Sequence, residues 1–189
     1  MQLRMKLATA AVTGATTVAL AAGVPALASS HASGSKSITG PEVIAGAVHG
    51  KKALANATII PLHWRGLVNT HSVINLGGRG PHKGSVKALR SPAGNLTVKV
   101  TSKPHASQVF NTRSCRFTFT QDIPLTIVGS KSTGAFAGAS GPGAVQVSFS
   151  ATGPRFTSGP KKGQCNPNGR SLAKGAVASF LASLVLTLK

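Results

Sequence analysis

The sequence predicts an all-β fold: an antiparallel barrel of seven to eight strands with one disulfide, or alternatively a sandwich. Three observations support this prediction. Apolar and polar residues alternate over several stretches, Gly- and Pro-rich clusters separate those stretches at regular spacing, and no segment shows a convincing helical period. A closed barrel is favoured because closure removes strand edges that would otherwise pair with other chains.

The first element in chain order is a predicted secretory signal over residues 1–28. Arg4 and Lys6 give a basic start, an apolar segment follows, and Ala26-Leu27-Ala28 has the small-x-small pattern that a signal peptidase accepts. A membrane anchor is disfavoured, because the apolar segment is interrupted by Thr and Gly and no basic cluster follows it directly. We therefore expect a secreted, extracellular protein without a transmembrane segment in its mature chain, and association with the cell wall remains open.

Two further units complete the predicted organisation. Residues 29–52 are rich in Ser, Gly and other small residues, which is typical of a flexible lead-in. Residues 53–189 form the predicted barrel domain. Its candidate strands, in order, are Ala57–Trp64, Ser72–Leu76, Ser85–Leu89, 96–101, 115–120, Leu125–Val128 and 145–151, followed by the C-terminal segment.

The C-terminal segment, "GAVASFLASLVLTLK", is compatible with an amphipathic helix or a strand. All even positions from Ala176 to Leu188 are apolar, whereas the odd positions include Ser179, Ser183 and Thr187. This period of two favours one long strand, or two strands that meet near Ala182.

The stretch 133–151, "TGAFAGASGPGAVQVSFSA", begins with closely spaced glycines and ends in regular alternation. A phosphate-binding loop requires Lys-Ser or Lys-Thr after its last glycine, but Ala144 and Val145 follow Gly143. A dinucleotide-binding turn would open a helix, whereas a strand is predicted to follow. The glycines therefore indicate a tight connection or a bulged corner of the sheet.

The same stretch resembles the Gly-Thr-Gly-x-Phe-x-x-Ala-x-Gly signature of the allene oxide cyclase and dirigent β-barrel proteins. It is also similar to small exported actinobacterial proteins with a glycine-rich corner and two cysteines. The matching residues are Thr133, Gly134, Phe136, Ala139 and Gly141. The resemblance implies an eight-stranded antiparallel barrel, often oligomeric, with a ligand cavity. The chain departs from the signature by inserting Lys131 and Ser132, and no catalytic residue is carried over.

The predicted mature chain contains two cysteines, Cys115 and Cys165, which in an exported protein most simply form one disulfide. Two free thiols are the alternative. A metal site is disfavoured, because two distant cysteines do not form the closely spaced pairs that zinc prefers.

Charge is the strongest feature of the composition. The chain has 21 Lys and Arg residues against two acids, Glu42 and Asp122. Without Arg4 and Lys6 of the predicted signal, 19 basic residues remain and the net charge is +17. Such a protein attracts polyanions. The basic residues are spread along the chain, however, and dispersed charge that only maintains solubility is the plainer interpretation.

Catalytic and cofactor motifs are absent from the sequence. Glu42 falls in the predicted lead-in and Asp122 in a predicted turn, so paired carboxylate catalysis is disfavoured. No cofactor is expected, and an enzyme is disfavoured without being excluded. The candidate ligand-binding residues are Trp64, Arg65, Arg79, Lys83, Lys87 and Arg90. Trp64 next to a cation is the best single candidate for stacking on a sugar or base, but a core or barrel-end position is the favoured interpretation of this residue.

The sequence leaves three hypotheses for function. The first is an exported, non-enzymatic basic β-barrel that binds anionic cell-envelope polymers, acidic polysaccharides or other polyanions. The second is a small apolar-ligand binder or a cyclase- or dirigent-like barrel protein, which requires a hollow interior. Nucleic-acid binding is the weakest, because the chain has few aromatic residues to stack on bases. Oligomerisation remains open.

Overall fold

The computed structural model describes residues 36–54, 58–76, 80–166, 168–169 and 172–189. The predicted signal over residues 1–28 and the first part of the predicted lead-in lie outside the described residues. The strands are β1 (Ile38–His49), β2 (Ile59–Gly66), β3 (Thr70–Asn75), β4 (Val86–Ser91), β5 (Gly94–Val100), β6 (His105–Asn111), β7 (Arg116–Ile127), β8 (Pro142–Thr152) and β9 (Leu172–Leu188).

The strands form one antiparallel sheet that curls into a nearly closed eight-stranded barrel with one unsealed seam. The order around the barrel is β3, β2, β1, β9, β8, β7, β5, β4, so the seam lies between β3 and β4. Strand β6 stands outside this circuit and pairs with the first half of β7. The prediction of an antiparallel barrel with a Cys115–Cys165 disulfide is confirmed.

The C-terminal segment forms a single strand, without a break at Ala182. Its even residues from Ala176 to Leu186 are buried, and its odd residues face outward. The alternation of apolar and polar residues therefore predicted a strand correctly, because every second side chain of β9 points into the barrel core.

Two strands were not predicted. Strand β1 occupies residues 38–49 of the predicted lead-in, so the prediction of a flexible lead-in over 29–52 is wrong for these residues. It pairs with β9 from Ile38 to His49. Its small residues fit a tightly packed wall, since a Cβ on Gly46 would lie 2.0 Å from the carbonyl oxygen of Pro61. Strand β6 lacks a buried face altogether, as all seven of its residues are exposed.

One end of the barrel is closed by the glycine-rich connection between β7 and β8. Phe136 in this connection is fully buried, and its ring centroid lies 5.2 Å from that of Trp64. Gly134, at φ +63°, packs against the turn that joins β4 and β5, where a Cβ would lie 2.4 Å from the carbonyl oxygen of Ala93. The connection thus acts as a plug, and we call this end of the barrel the plugged end.

At the opposite end, the disulfide joins the β6–β7 turn to the chain that leaves β8. We call residues 111–116 and 153–166 the disulfide lobe. The side-chain oxygen of Asn111 accepts hydrogen bonds from the backbone N–H groups of Arg113 and Ser114, which shapes the turn before Cys115. The Arg155 guanidinium donates to the carbonyl oxygens of Arg113 and Gly163 and so ties the two halves of the lobe together.

Candidate functional site

The predicted ligand-binding residues do not form one site. Trp64 is only 2% exposed, and its indole Nε1 donates to Ser72 Oγ at 2.8 Å. The prediction of a surface ligand contact for Trp64 is therefore corrected: it is a core residue that contacts Phe136. Arg65, the next residue along β2, faces solvent. Arg79 lies outside the described residues.

The other three candidates, Lys83, Lys87 and Arg90, are exposed on or beside β4. Arg90 pairs with Asn95 and lies on the outer face of the β4–β5 hairpin. Lys87 differs from it, because its Cα partner is Val98, a core residue. Residues directly opposite one another in an antiparallel pair share a face. Lys87 therefore lies on the inner face of its strand, at the seam.

A half-open apolar cavity of about 250 Å³ extends from the seam into the barrel, in the half that faces away from the plugged end. Lys87, Asn75 and Pro81 lie at the seam side of its lining. The apolar part of the lining comes from strands on both sides of the barrel, and includes Val73, Leu89, Val98, Leu125, Val147 and Phe180. The cavity is thus an apolar chamber with a lysine and an amide near the seam, an arrangement typical of small-molecule sites.

Near the plugged end, the interior is packed around a carboxyl group. Glu42 is fully buried on β1, and its Oε2 accepts a hydrogen bond of 3.0 Å from the backbone N–H of Val68. Its Oε1 has no hydrogen-bond partner. Burial raises the pKa of Glu42, and hydrogen bonds from the backbone of Val68 and Leu67 only partly oppose that rise.

This position corrects the prediction that Glu42 belongs to a flexible lead-in. Asp122 also lies in a strand, β7, and not in a turn; its Oδ1 accepts from Gln146 Nε2 at 3.0 Å. One acid is inside the barrel and the other is on its exposed surface, so the structure does not bring the two carboxyls into one site.

Cations are concentrated on one side of the barrel, which we call the cationic side: the outer face and seam edge of the β4–β5 hairpin with its adjoining loops. Lys99 lies across from Val86 on the outer face, and the carbonyl oxygen of Lys131 accepts from the Thr97 hydroxyl, which places Lys131 against the same hairpin. The cationic side comprises Lys83, Lys87, Arg90, Lys99, Lys103 and Lys131.

A second group of cations lies on the disulfide lobe: Arg113, Arg116, Arg155, Lys161 and Lys162. Arg116 Nη2 donates to Ser150 Oγ at 2.9 Å, and the Lys161 ammonium lies 6.0 Å from the centroid of the Phe156 ring. Within the described chain, no Lys or Arg of either group has a carboxylate partner, because Glu42 is buried and Asp122 bonds to an amide.

The opposite side of the barrel has a different surface. In an eight-stranded circuit, β1 and β9 lie diametrically across from β5 and β4. The outward faces of β8, β9, β1 and β2, and of β3 beside the seam, carry a single Lys or Arg among the described side chains, Arg65. Most of the described cations therefore lie on two surfaces, and Lys36, Lys51, Lys52 and Lys189 lie beyond the ends of β1 and β9.

No protein-family model, curated protein or solved structure matches the chain. None of the described helices has the length and apolarity to cross a membrane. Within the described ranges, no three His, Cys, Asp or Glu side chains cluster in a way that could hold a metal ion.

Proposed function

We propose that this protein is an exported, non-enzymatic basic β-barrel that binds anionic cell-envelope polymers or other polyanions through its cationic side and its disulfide lobe. The observation that supports the proposal is the concentration of cations without carboxylate partners on these two surfaces. A cation that is not neutralised within the protein keeps its attraction for an external phosphate or carboxylate.

Binding by such a surface should weaken steeply with salt. Each polymer charge that the protein neutralises releases a condensed counterion, and the slope of log K against log salt grows with the number of contacts, by about 0.7–0.9 per contact for nucleic acids. Salt-insensitive retention on an anionic matrix would contradict the proposal.

The sharper test replaces three cations of the cationic side, Arg90, Lys99 and Lys103, by Gln. The matched control replaces Lys36, Arg65 and Lys189, which are also exposed but belong to neither cationic group. Both triple variants lose the same net charge. We expect the first variant to elute from a poly(glycerol phosphate) matrix at lower salt than the control, with a shallower salt dependence. Elution of both variants at the same salt concentration would contradict binding through the cationic side, because retention would then depend only on the net charge of the protein.

A second candidate function, binding of a small apolar ligand, is supported by one specific observation: an apolar cavity opens at the seam of the barrel. The cavity of about 250 Å³ is lined mainly by aliphatic side chains and Phe180. It is slightly smaller than the ~300–1,000 Å³ of typical small-molecule pockets, so its ligand would be compact. We assign no catalytic residue in it.

This candidate is tested with the uncharged apolar dye N-phenyl-1-naphthylamine. We expect its fluorescence to rise on binding to the protein and the rise to be lost in Val98→Phe, which fills the cavity from β5. The control is Val109→Phe, at a residue of β6 that is 64% exposed. Equal dye binding by both variants would place the dye on the surface and exclude the cavity as its site.

A further inference from the structure

We infer that the free edge of β6 is a docking site for an extended peptide segment of a partner protein, with acidic residues at the end that meets the disulfide lobe. Strand β6 lies outside the barrel circuit and pairs with β7 along one edge, over its whole length from His105 to Asn111. No strand of the described chain pairs with its other edge. We call this second edge the open edge.

The open edge carries a row of backbone groups that have no partner within the sheet. Successive residues of an antiparallel strand point their N–H and C=O groups to alternate sides, so about half of those in β6 point away from β7. Outside the β6–β7 ladder, no backbone hydrogen bond among the described residues involves residues 105–111. An extended peptide can satisfy such a row with its own main chain, and this is the physical basis of strand addition.

Strand β6 lacks the features that usually block a free edge. Its sequence, HASQVFN, contains no Lys and no Pro, and its seven residue pairs with β7 run without a bulge. All seven residues are exposed, so no loop or helix of the described chain covers the strand. The open edge is therefore accessible for pairing along its full length.

Side chains on the two faces of β6 determine which residues an added strand would carry. Phe110 is the Cα partner of Phe117, and the Phe117 ring centroid lies 6.4 Å from that of Phe149, so Phe110 extends an aromatic face of the sheet. Phe110 is 44% exposed, and Val109 on the other face is 64% exposed. Since directly opposed side chains of paired strands contact each other, an added strand gains from apolar residues opposite Val109 and Phe110.

The end of β6 that meets the disulfide lobe favours acidic residues. An open surface cavity of about 540 Å³ lies there, and its lining includes Phe110, Thr112, Arg113, Arg155 and Gln164. The Arg155 guanidinium donates to two backbone carbonyl oxygens, and no carboxylate of the described chain pairs with Arg113 or Arg155. A carboxylate at the end of the added strand can therefore enter this cavity and pair with these guanidinium groups.

Charge distinguishes an acidic peptide from a second copy of this chain as the occupant. In an antiparallel pair of two open edges, Arg113 of each copy would lie near Lys103 of the other, and like charges across an interface are costly. Every pair of strands in the sheet is antiparallel. A peptide that begins with acidic residues at the disulfide lobe and then runs antiparallel to β6 has the complementary charge and the more stable pairing.

The test is titration of the purified mature chain against the fluorescein-labelled peptide EESVVTVTS, followed by fluorescence anisotropy. Antiparallel to β6, its adjacent valines lie opposite Phe110 and Val109, and its glutamates extend beyond Asn111 toward the lobe. We expect saturable binding with a dissociation constant below about 1 mM. The control peptide has methylated central backbone nitrogens, which keeps the charge and removes the N–H donors. It should bind at least about tenfold more weakly.

Two single variants, Ser107→Pro and Gln108→Pro, test the open edge in the protein itself. Adjacent residues point their N–H groups to opposite edges, so one proline removes an N–H from the open edge and the other breaks the β6–β7 ladder. Amide exchange of β7, measured by nuclear magnetic resonance, identifies the variant that keeps the ladder. We call it the edge variant, and it should bind the peptide at least about tenfold more weakly than wild type.

The acidic end of the peptide is tested with Arg113→Gln, and the matched control is Lys36→Gln, which loses the same charge at an exposed residue away from β6. We expect Arg113→Gln to weaken peptide binding at least about threefold and the control to leave it unchanged. Equal binding by these two variants would show that the cavity beside the lobe does not receive the glutamates, and it overturns the acidic specificity.

Peptide docking and polyanion binding can fail independently. Poly(glycerol phosphate) has no peptide backbone, so the edge variant should elute from it at the same salt as wild type while it loses the peptide. The absence of saturable peptide binding by wild type, or equal affinity of the two peptides, overturns the inference. A dimer of wild type that the edge variant dissociates also overturns it, because the open edge would then be occupied by a second copy.

Discussion

Glu42 is the most unusual single residue of the fold. It is one of two acids in a chain with 21 basic residues, yet it is fully buried and one of its carboxyl oxygens has no partner. Gly66, its Cα partner on β2, makes the space for it, since a Cβ there would lie 2.8 Å from Oε2. The carboxyl is held by backbone N–H groups and not by a cation.

We predict that Glu42 makes the barrel less stable as pH rises. Its pKa is raised in the folded state, whereas in the unfolded chain it is near the usual value of about 4.3. The folded state therefore binds the proton more tightly, and this stabilisation is complete below pH ~4 and is lost as pH rises through the folded pKa. Each unit of pKa difference corresponds to about 1.4 kcal/mol.

Glu42→Gln removes this dependence. We expect the free energy of unfolding of the variant, relative to wild type, to increase between pH 4 and pH 8, as measured by urea denaturation. Asp122→Asn, which neutralises the exposed acid, is the matched control for the loss of one carboxyl group. A wild-type-to-Gln difference that is constant over this range would show that Glu42 has the same pKa in both states.

The environment of a single residue could be predicted from the sequence only where the chain offers one possible partner for it. Cys115 and Cys165 are the two cysteines of the chain, so in an exported protein their pairing was the simplest prediction. Trp64 was a candidate for a ligand surface because its neighbours in sequence are His63 and Arg65, although a core position was the favoured interpretation. Alternation along β2 turns those two outward and Trp64 inward, where Phe136, distant in sequence, covers it.

At the scale of elements, the sequence predicted the strands whose inward residues are uniformly apolar, such as β9. Strand β1 was missed because Glu42 and Gly46 interrupt its inward face, and small residues are typical of linkers as well as of crowded barrel walls. Strand β6 was missed because it has no buried face to produce a pattern. Both strands are stabilised by hydrogen bonds to a neighbouring strand, and the local sequence pattern does not reveal such pairing.

The disulfide lobe has little apolar support, because Cys115 is its one buried residue, so we predict that it depends on its covalent link. The bond spans 50 residues of sequence and, in the chain-entropy model, stabilises the fold by roughly 4 kcal/mol at most. We expect the double variant Cys115→Ser, Cys165→Ser to lose up to that amount in urea unfolding and to lose amide protection over residues 153–166 first.

The control for this prediction is the wild-type protein treated with a reductant, which should behave like the double variant. Strands β1 and β9 should keep slow amide exchange in both samples, because they are paired along their length outside the lobe. A uniform loss of protection across the barrel would show instead that the lobe and the barrel unfold as one unit.

At the scale of the whole molecule, charge segregation could not be predicted from the sequence. The basic residues occur from Lys36 to Lys189 without a long run, and only the circuit of strands shows that β4 and β5 lie opposite β9 and β1. The cavity at the seam was likewise beyond sequence reasoning. Alternation predicts which side chains point inward, but whether they fill the space depends on the number and tilt of the strands.

The seam between β3 and β4 provides an entrance to the cavity. No backbone hydrogen bond joins β3 to β4 in the described chain, and both strands contribute to the cavity lining. We predict that the seam-facing amides of β3 and β4 exchange with solvent at least ~100-fold faster than those in the middle of β9, which has strand partners on both sides.

Saturating N-phenyl-1-naphthylamine should slow exchange at β3 and β4 and leave β9 unchanged, because a molecule in the cavity would contact the seam strands and hold them together. The measurement is residue-resolved hydrogen exchange by nuclear magnetic resonance, with and without the dye. The Val98→Phe variant, with its cavity filled, should show no response to the dye. Slow exchange along β3 and β4 in the absence of dye would mean that the barrel is sealed in solution and that ligands must enter at the end opposite the plug.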